Sequence, residues 1–98
     1  MPLYNSNNQS LGSAIREFLQ AYRLEEKFNQ TKLIHSWEKV VGKMVANHTK
    51  DLHIRNKVLF VKIDSAALRN ELNYARETII KSLNEEVHTD VIEDVVFR

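Results

Sequence analysis

Apolar and polar residues alternate through residues 51–63, and this pattern predicts a β-hairpin. The turn falls at Asn56-Lys57, because asparagine accepts the positive φ that a two-residue hairpin turn requires. A turn at that point fixes the register of the two strands. The predicted pairs are Arg55 with Val58, Ile54 with Leu59, His53 with Phe60, Leu52 with Val61, and Asp51 with Lys62.

The predicted register divides the hairpin into two chemically different faces. One face is wholly aliphatic, as expected of a half-buried antiparallel pair. The other face is basic and partly aromatic, and it is open unless a helix or a partner covers it. Its side chains are His53, Arg55, Phe60 and Lys62.

Three other segments show apolar residues at helical spacing. A first helix is predicted to begin at an N-cap, Ser10, and the helical pattern breaks at Asn29-Gln30. A second helix is predicted to begin near Thr31, and Gly42 inside it indicates either a bend or the close approach of another backbone segment. A third helix begins after Asp64 and Ser65. The stripes are Leu11, Ile15, Phe18, Leu19 and Tyr22; Leu33, Trp37, Val40, Val41 and Met44; and Leu68, Leu72, Ala75, Ile79 and Leu83.

Residues 91–98 predict a last strand, so the predicted order is α-α-β-β-α-β. Three strands with helices on one face form a small two-layer α+β sandwich. Residues 10–98 are predicted to be a single domain. Residues 1–9 are polar, Asn-rich and uncharged in their side chains, which predicts a flexible lead-in.

The composition of the chain excludes several classes of protein. The chain has 98 residues, of which 43% are hydrophobic, enough for one core. It has no cysteine, which excludes disulfides, thiolate catalysis and cysteine-based zinc sites. No apolar run approaches the roughly 20 residues of a membrane span. No signal segment opens the chain, so a soluble cytoplasmic protein without membrane partners is expected.

Charge is unevenly distributed along the chain although the net charge is only +1. Residues 39–62 carry six bases and a single acid, Asp51, whereas residues 84–94 carry five acids and no base. Such a chain can present one basic surface despite a nearly neutral total. The alternative is that these charges form an ordinary solvated surface.

Sequence signals of catalysis are absent. Two glycines thirty residues apart cannot form a phosphate-cradling loop. No HExxH motif or helical histidine pair occurs, and no serine lies in a nucleophile-elbow context. We therefore predict a non-enzymatic protein with no cofactor and no metal site.

The basic and aromatic residues favour nucleic-acid binding, because lysine and arginine contact phosphates and flat side chains stack on unpaired bases. Phe60 has a competing interpretation, namely packing under a helix or a partner chain. Trp37, Tyr22 and Tyr74 are expected to pack in the core. The candidate nucleic-acid-binding residues are Lys43, Lys50, Arg55, Lys57, Phe60, Lys62, Arg69 and Arg76.

Three segments carry a resemblance to a known family: WEKVVGKMVANHT, LFVKIDSAALRNELNYARETIIKSLNE and VIEDVVFR. Their signature is Trp37, Val41-Gly42, Ala46 and His48-Thr49, then an S-x-x-L-x-x-E-L helix and a final I-x-D-V-x-F-R. With this spacing, residues 11–98 resemble the DciA family, long catalogued as a bacterial domain of unknown function.

The resemblance implies a KH-like domain and a role in bacterial DNA replication, where the family acts with the replicative helicase and binds DNA. The expected partners are that helicase and single-stranded or forked DNA, with RNA left open. No GxxG loop exists here, so the nucleotide clamp of a typical KH domain is not available. The alternatives are a protein-interaction adaptor docked through the acidic segment, or a homodimer joined through the Phe60 face.

Overall fold

A computed structural model describes the backbone of residues 2–98 and the side chains of residues 10–98. The described chain is a mixed α+β structure with six helices and three strands, which confirms the predicted fold class. The helices and strands are α1 (Pro2–Ala21), α2 (Glu25–His35), α3 (Trp37–Val41), α4 (Lys43–Asn47), β1 (Thr49–Arg55), β2 (Val58–Ile63), α5 (Ala66–Tyr74), α6 (Arg76–Val87) and β3 (Asp94–Phe97).

The hairpin forms as the alternation predicts. All five predicted pairs are present, from Arg55 with Val58 to Asp51 with Lys62. Asn56 and Lys57 have φ values of 52° and 64°, so both turn residues adopt the left-handed conformation of a type I′ turn. A bulge lies between Thr49 and Asp51, so the register shifts at the start of β1.

The sheet has β2 in the centre, with β1 antiparallel on one side and β3 parallel on the other. Its aliphatic face is covered by helices, because the inward residues of β2 and β3 join buried residues of α2, α3, α4, α5 and α6 in one cluster. The buried residues are Leu33, Trp37, Val45, Leu59, Val61, Ile63, Leu72, Ile79, Leu83, Val87, Val91, Ile92, Val95 and Phe97.

The predicted third helix divides into α5 and α6 at Ala75. Ser65 caps α5 as expected, since its hydroxyl accepts a hydrogen bond from the Leu68 amide at 3.2 Å. Ala75 has φ −98° and ψ 9°, which ends α5 and begins α6. The two helices contact different elements, α5 packing on β2 and β3 while α6 also packs on α2 and α3. Alanine favours helix, so tertiary packing overrides its local preference here.

The first two predicted helices differ from the structure in their boundaries. Asn29 and Gln30 lie inside α2 rather than breaking it. Acids in the first turn of α2 and bases in its last turn favour the helix dipole, and Leu33 anchors it in the core. Gly42, with φ 91°, ends α3 and separates it from α4, so the helix is interrupted there instead of bent, and no described segment packs closely against this glycine.

The two tyrosines expected in the core and several residues of the predicted apolar stripes are exposed. Tyr74 is 91% exposed, Tyr22 65% and, in the stripe of the second predicted helix, Met44 64%, so packing inside is wrong for these residues. Each lies at or near a helix end. Trp37, in contrast, is buried as predicted, and its indole Nε1 donates to Thr49 Oγ1 at 3.0 Å.

The first helix begins at Pro2 rather than at the predicted cap Ser10. The side chains of residues 1–9 lie outside the described residues, and the flexibility of that segment stays a prediction. Of the helices that the structure describes, none is both long enough and apolar enough to cross a membrane.

Candidate nucleic-acid interface

The face of the sheet opposite the helices presents three rows of side chains, one residue from each strand in every row. The rows follow from the register, because side chains two residues apart on a strand share a face. Arg98 extends the β3 side, since its amide donates to the Val61 carbonyl at 2.8 Å and its carbonyl accepts from the Ile63 amide at 2.7 Å. The rows are Asp51, Lys62 and Arg98; His53, Phe60 and Val96; and Arg55, Val58 and Asp94.

Phe60 is the centre of this open face. The His53 imidazole stacks against its ring, with centroids 5.0 Å apart and planes 13° from parallel. The guanidinium carbon of Arg98 lies 5.3 Å from the same ring centroid, within cation–π range. His53 belongs to β1 and Arg98 follows β3, so Phe60 has a neighbour from each flanking strand. No helix is needed to explain its half-buried state.

The row beside Phe60 carries two bases and one acid. Lys62 and Arg98 line a shallow depression together with Lys50 and Asp51. The Asp51 carboxylate is engaged by His53, whose Nδ1 lies 3.1 Å from Asp51 Oδ2. Among the side chains of residues 10–98, neither Lys62 nor Arg98 has an acidic group within 4.0 Å. Neither basic side chain at this end of the sheet is therefore held in an ion pair with a described side-chain carboxylate.

Lys50 is partly neutralised by a neighbouring cluster at the β2–α5 junction. Asp64 accepts from His48 Nδ1 at 2.7 Å, and Lys50 Nζ lies 3.2 Å from its other carboxylate oxygen. The hydrogen bond from His48, assisted by Lys50 and opposed by partial desolvation, holds the pKa of the Asp64 carboxyl below its ordinary value. Asp64 thus ties the end of β2 to the start of β1.

The structure brings some of the candidate residues together and separates others. Lys50, Arg55, Phe60 and Lys62 share the open face. Lys57 sits in the hairpin turn, 3.8 Å from Glu93, and Lys43 lies on α4.

Arg69 and Arg76 have structural partners instead. Arg69 is half-buried and donates to the Ile63 carbonyl at 2.7 Å. Arg76 Nε lies 3.7 Å from Asp94 Oδ1. Both arginines belong to the helices that pack on the covered side of the sheet; Arg69 is turned to the backbone there, and Arg76 reaches the open-face row only through its contact with Asp94 at the β3 edge.

Sequence reasoning missed Arg98 as a site residue and placed His53 on the face without a role. The position of Arg98 depends on the parallel register between β2 and β3, which no turn fixes. The available signal was the alternation in the last four residues, where Val96 and Arg98 share a face.

The described histidines and carboxylates do not form a candidate metal site. Across residues 10–98, no group of three His, Asp or Glu side chains is arranged to hold a metal ion. The histidines at the start of β1 contact carboxylates instead, His48 with Asp64 and His53 with Asp51.

Comparison with known proteins places this chain in a family. A UPF0232 protein of Corynebacterium glutamicum (strain R) is 27% identical over 92 residues, which cover 94% of this chain and 52% of that protein. The chain therefore spans about half the length of the curated relative that it matches. The family model described as "Dna[CI] antecedent, DciA" matches residues 10–97. This match covers most of the chain, including every strand of the sheet, and the chain belongs to the DciA family.

Proposed function

We propose that the chain is a non-enzymatic, nucleic-acid-binding accessory of bacterial DNA replication that acts with the replicative helicase. Family membership supports the replication role, since it implies a part in loading the replicative helicase. The observation that carries nucleic-acid binding is the open sheet face, where Lys62 and Arg98 lie side by side without an acidic partner among the described residues.

The physical reason is electrostatic. Phosphate groups are bound mainly by lysine and arginine, and the released counterions make the affinity depend steeply on salt. The four basic residues come from all three parts of the sheet, so a nucleic-acid strand that crosses it can meet several cations. Lys50 and Arg55 lie on β1, Lys62 lies on the central strand β2, and Arg98 follows β3. For about five phosphate contacts on a single strand, the log–log slope of affinity against salt is near −3.5.

Fluorescence anisotropy of labelled single-stranded and forked DNA over a salt series tests this function. The test variant is Arg55→Glu/Lys62→Glu. The matched control is Lys27→Glu/Lys81→Glu, which changes the net charge equally on exposed helix positions of α2 and α6. We expect the test variant to lose most of the affinity and the control to keep most of it. An undetectable or salt-independent affinity in the parent protein contradicts the proposal.

A second candidate function, an adaptor that docks on the helicase without DNA, has an observation of its own. The last turns of α6 and the segment after it present Glu85, Asp90 and Glu93 at the surface, where they repel DNA and attract a basic protein. Co-elution with the replicative helicase at micromolar concentration and low salt, by a variant that no longer binds DNA, supports it. Failure to co-elute under those conditions argues against it.

A homodimer joined through the Phe60 face is the remaining alternative. Sedimentation velocity separates it from the other two, because a strict monomer excludes that interface.

A further inference from the structure

We infer that Lys62 and Arg98 form a subsite for one phosphodiester group, and that Phe60 positions the Arg98 guanidinium for it instead of stacking on a base. The inference rests on the proposed nucleic-acid binding and specifies its chemistry. Phe60 then acts on Arg98 and not on a base, and the open face binds the sugar–phosphate backbone without contacting the bases.

The backbone brings the two cations together. The residues after Val61 and Phe97, a Cα pair of the parallel ladder, are Lys62 and Arg98. Two hydrogen bonds hold Arg98 in this register, at 2.8 and 2.7 Å. Neighbouring strands lie about 4.8 Å apart, and like charges at such positions repel one another. The fold therefore holds two positive side chains close together.

The nearby carboxylates are engaged with other groups. Asp51 lies across the ladder from Lys62, but its Oδ2 is 3.1 Å from His53 Nδ1. Asp64 contacts His48 and Lys50. An anion placed between Lys62 and Arg98 relieves their repulsion without breaking those pairs. A phosphodiester has one negative charge and several acceptor oxygens, which suit a guanidinium and an ammonium group together.

The surroundings of Phe60 argue against base stacking. Its ring is approached from β1 by the parallel His53 imidazole at 5.0 Å and from the β3 side by Arg98 at 5.3 Å. A base could stack on the ring only by displacing one of these neighbours. The cation–π contact instead restricts the guanidinium, which lowers the entropic cost of binding an anion. Phe60 is thus a positioning residue that acts through Arg98.

Binding of this kind is independent of the bases. An abasic oligodeoxynucleotide of the same length should compete with thymidine oligomers about equally well, because both offer the same phosphodiesters. Base stacking would instead favour the thymidine oligomer roughly fivefold or more for each stacked base.

The experiment measures anisotropy of a fluorescein-labelled thymidine oligomer from 50 mM to 1 M salt, with the intact chain. Arg98→Gln removes one of the two cations of the subsite and should lower the affinity. Lys62→Gln/Arg98→Gln removes the whole phosphate contact, so the slope should become less steep by about 0.7. That slope change corresponds to roughly an eightfold loss of affinity at 50 mM relative to 1 M. Arg98→Lys should retain the slope. Arg16→Gln, on exposed α1, is the matched control and should behave as the parent protein.

Phe60→Leu separates the two roles of the ring. If Phe60 acts through Arg98, the variant should lose less than about fivefold affinity, and adding it to Arg98→Gln should cost little more. If a base stacks on Phe60, the single variant should lose about fivefold or more, with an unchanged slope and equal loss in the double variant. Thermal unfolding of each variant reports whether the fold is retained.

The outcomes of these measurements test the proposed function, the phosphate subsite and the role of Phe60 separately. No binding by the parent protein overturns the proposed function and this subsite together. Parent binding with an unchanged affinity in Arg98→Gln and an unchanged slope in Lys62→Gln/Arg98→Gln overturns the subsite and leaves the proposed function standing. Loss of competition by the abasic oligomer overturns the role assigned to Phe60.

Discussion

Two amphipathic helical stripes in this protein have opposite fates. The stripe that runs through α5 and α6 enters the core, where Leu83 is completely buried. The stripe of α1 has the same helical spacing, yet its large side chains stay exposed in the structure. These exposed residues are Leu11, Ile15, Phe18 and Tyr22.

The two stripes have the same helical spacing, so the difference lies in the surface that each helix has to pack against. The α5–α6 stripe lies over the aliphatic face of the sheet, and it is followed by a strand that joins that sheet. Among the described side chains, α1 contributes none to the buried core. A 3.6-residue period predicts a helix with an apolar side, but it does not identify the surface against which that side packs.

The largest expected effect comes from truncating the two stripes in turn. Leu83→Ala should destabilise the protein by about 2–5 kcal/mol, because it leaves a cavity in a fully buried site. Leu11→Ala, at a position 62% exposed, should change stability by less than about 0.5 kcal/mol. Urea unfolding measures both. Equal losses would mean that α1 packs in solution as tightly as α6, and the contrast would not hold.

The next effect concerns the segment that follows α6. Asn84 donates to the Ile92 carbonyl at 2.9 Å, and its Oδ1 accepts from the amides of Val91 and Ile92 at 3.0 and 3.1 Å. Asn84→Ala leaves the amide and the carbonyl of the buried residue Ile92 without these partners, while the Val91 amide keeps its bond to the Thr89 carbonyl at 3.0 Å. The substitution should cost about 1–3 kcal/mol in urea unfolding.

Asn73→Ala is the matched control for Asn84→Ala, since Asn73 is exposed on α5. It should have little effect. A loss at Asn84 no larger than the control would show that solvent replaces these three hydrogen bonds.

A smaller effect is expected at the cap of α5. Ser65→Ala removes the hydroxyl that accepts from the Leu68 amide and should cost about 1 kcal/mol in thermal or urea unfolding. Ser13→Ala lies within exposed α1 and should be neutral or slightly stabilising, because alanine is the better helix former. Equal losses of unfolding free energy in the two variants would contradict the stabilising role assigned to the Ser65 cap.

The smallest effect is a dependence on pH. Because the Asp64 carboxyl has a pKa below its ordinary value, its contribution to stability is present above the unfolded-state pKa of about 3.9 and disappears as the pH falls through the lower folded-state pKa. The unfolding free energy, followed by urea titration from pH 7 to pH 2, should therefore fall less steeply in Asp64→Asn than in the parent protein. Glu17→Gln on α1 is the control and should follow the parent curve; a parent-like curve for Asp64→Asn would contradict the assignment.

Local rules predicted the parts of the fold that depend on neighbouring residues. The hairpin register followed from the turn at Asn56-Lys57, and the start of α5 followed from the cap at Ser65. The continuity of α2 and the break at Ala75 did not follow, since both depend on packing between distant segments. The same limit explains why Met44 and Tyr74 were expected inside.

The candidate site shows the same division. The side chains of β1 and β2 on the open face followed from the alternation. Arg98 did not, because its neighbour Lys62 is set by a parallel pairing that spans α5 and α6. Spacing also could not show that Arg69 and Arg76 contact backbone and carboxylate groups elsewhere.

The parallel pairing of β2 with β3 has a consequence for the order of folding. A hairpin such as β1–β2 forms in roughly 1–10 μs, whereas β3 can join β2 only after the chain has closed a loop through α5 and α6. Arg98 therefore comes beside Lys62 only when β3 pairs with β2, and the same step adds Val95 and Phe97 to the core. The cation pair and the completed core therefore depend on one strand pairing, so a change that detaches β3 should abolish both stability and binding at this end of the sheet.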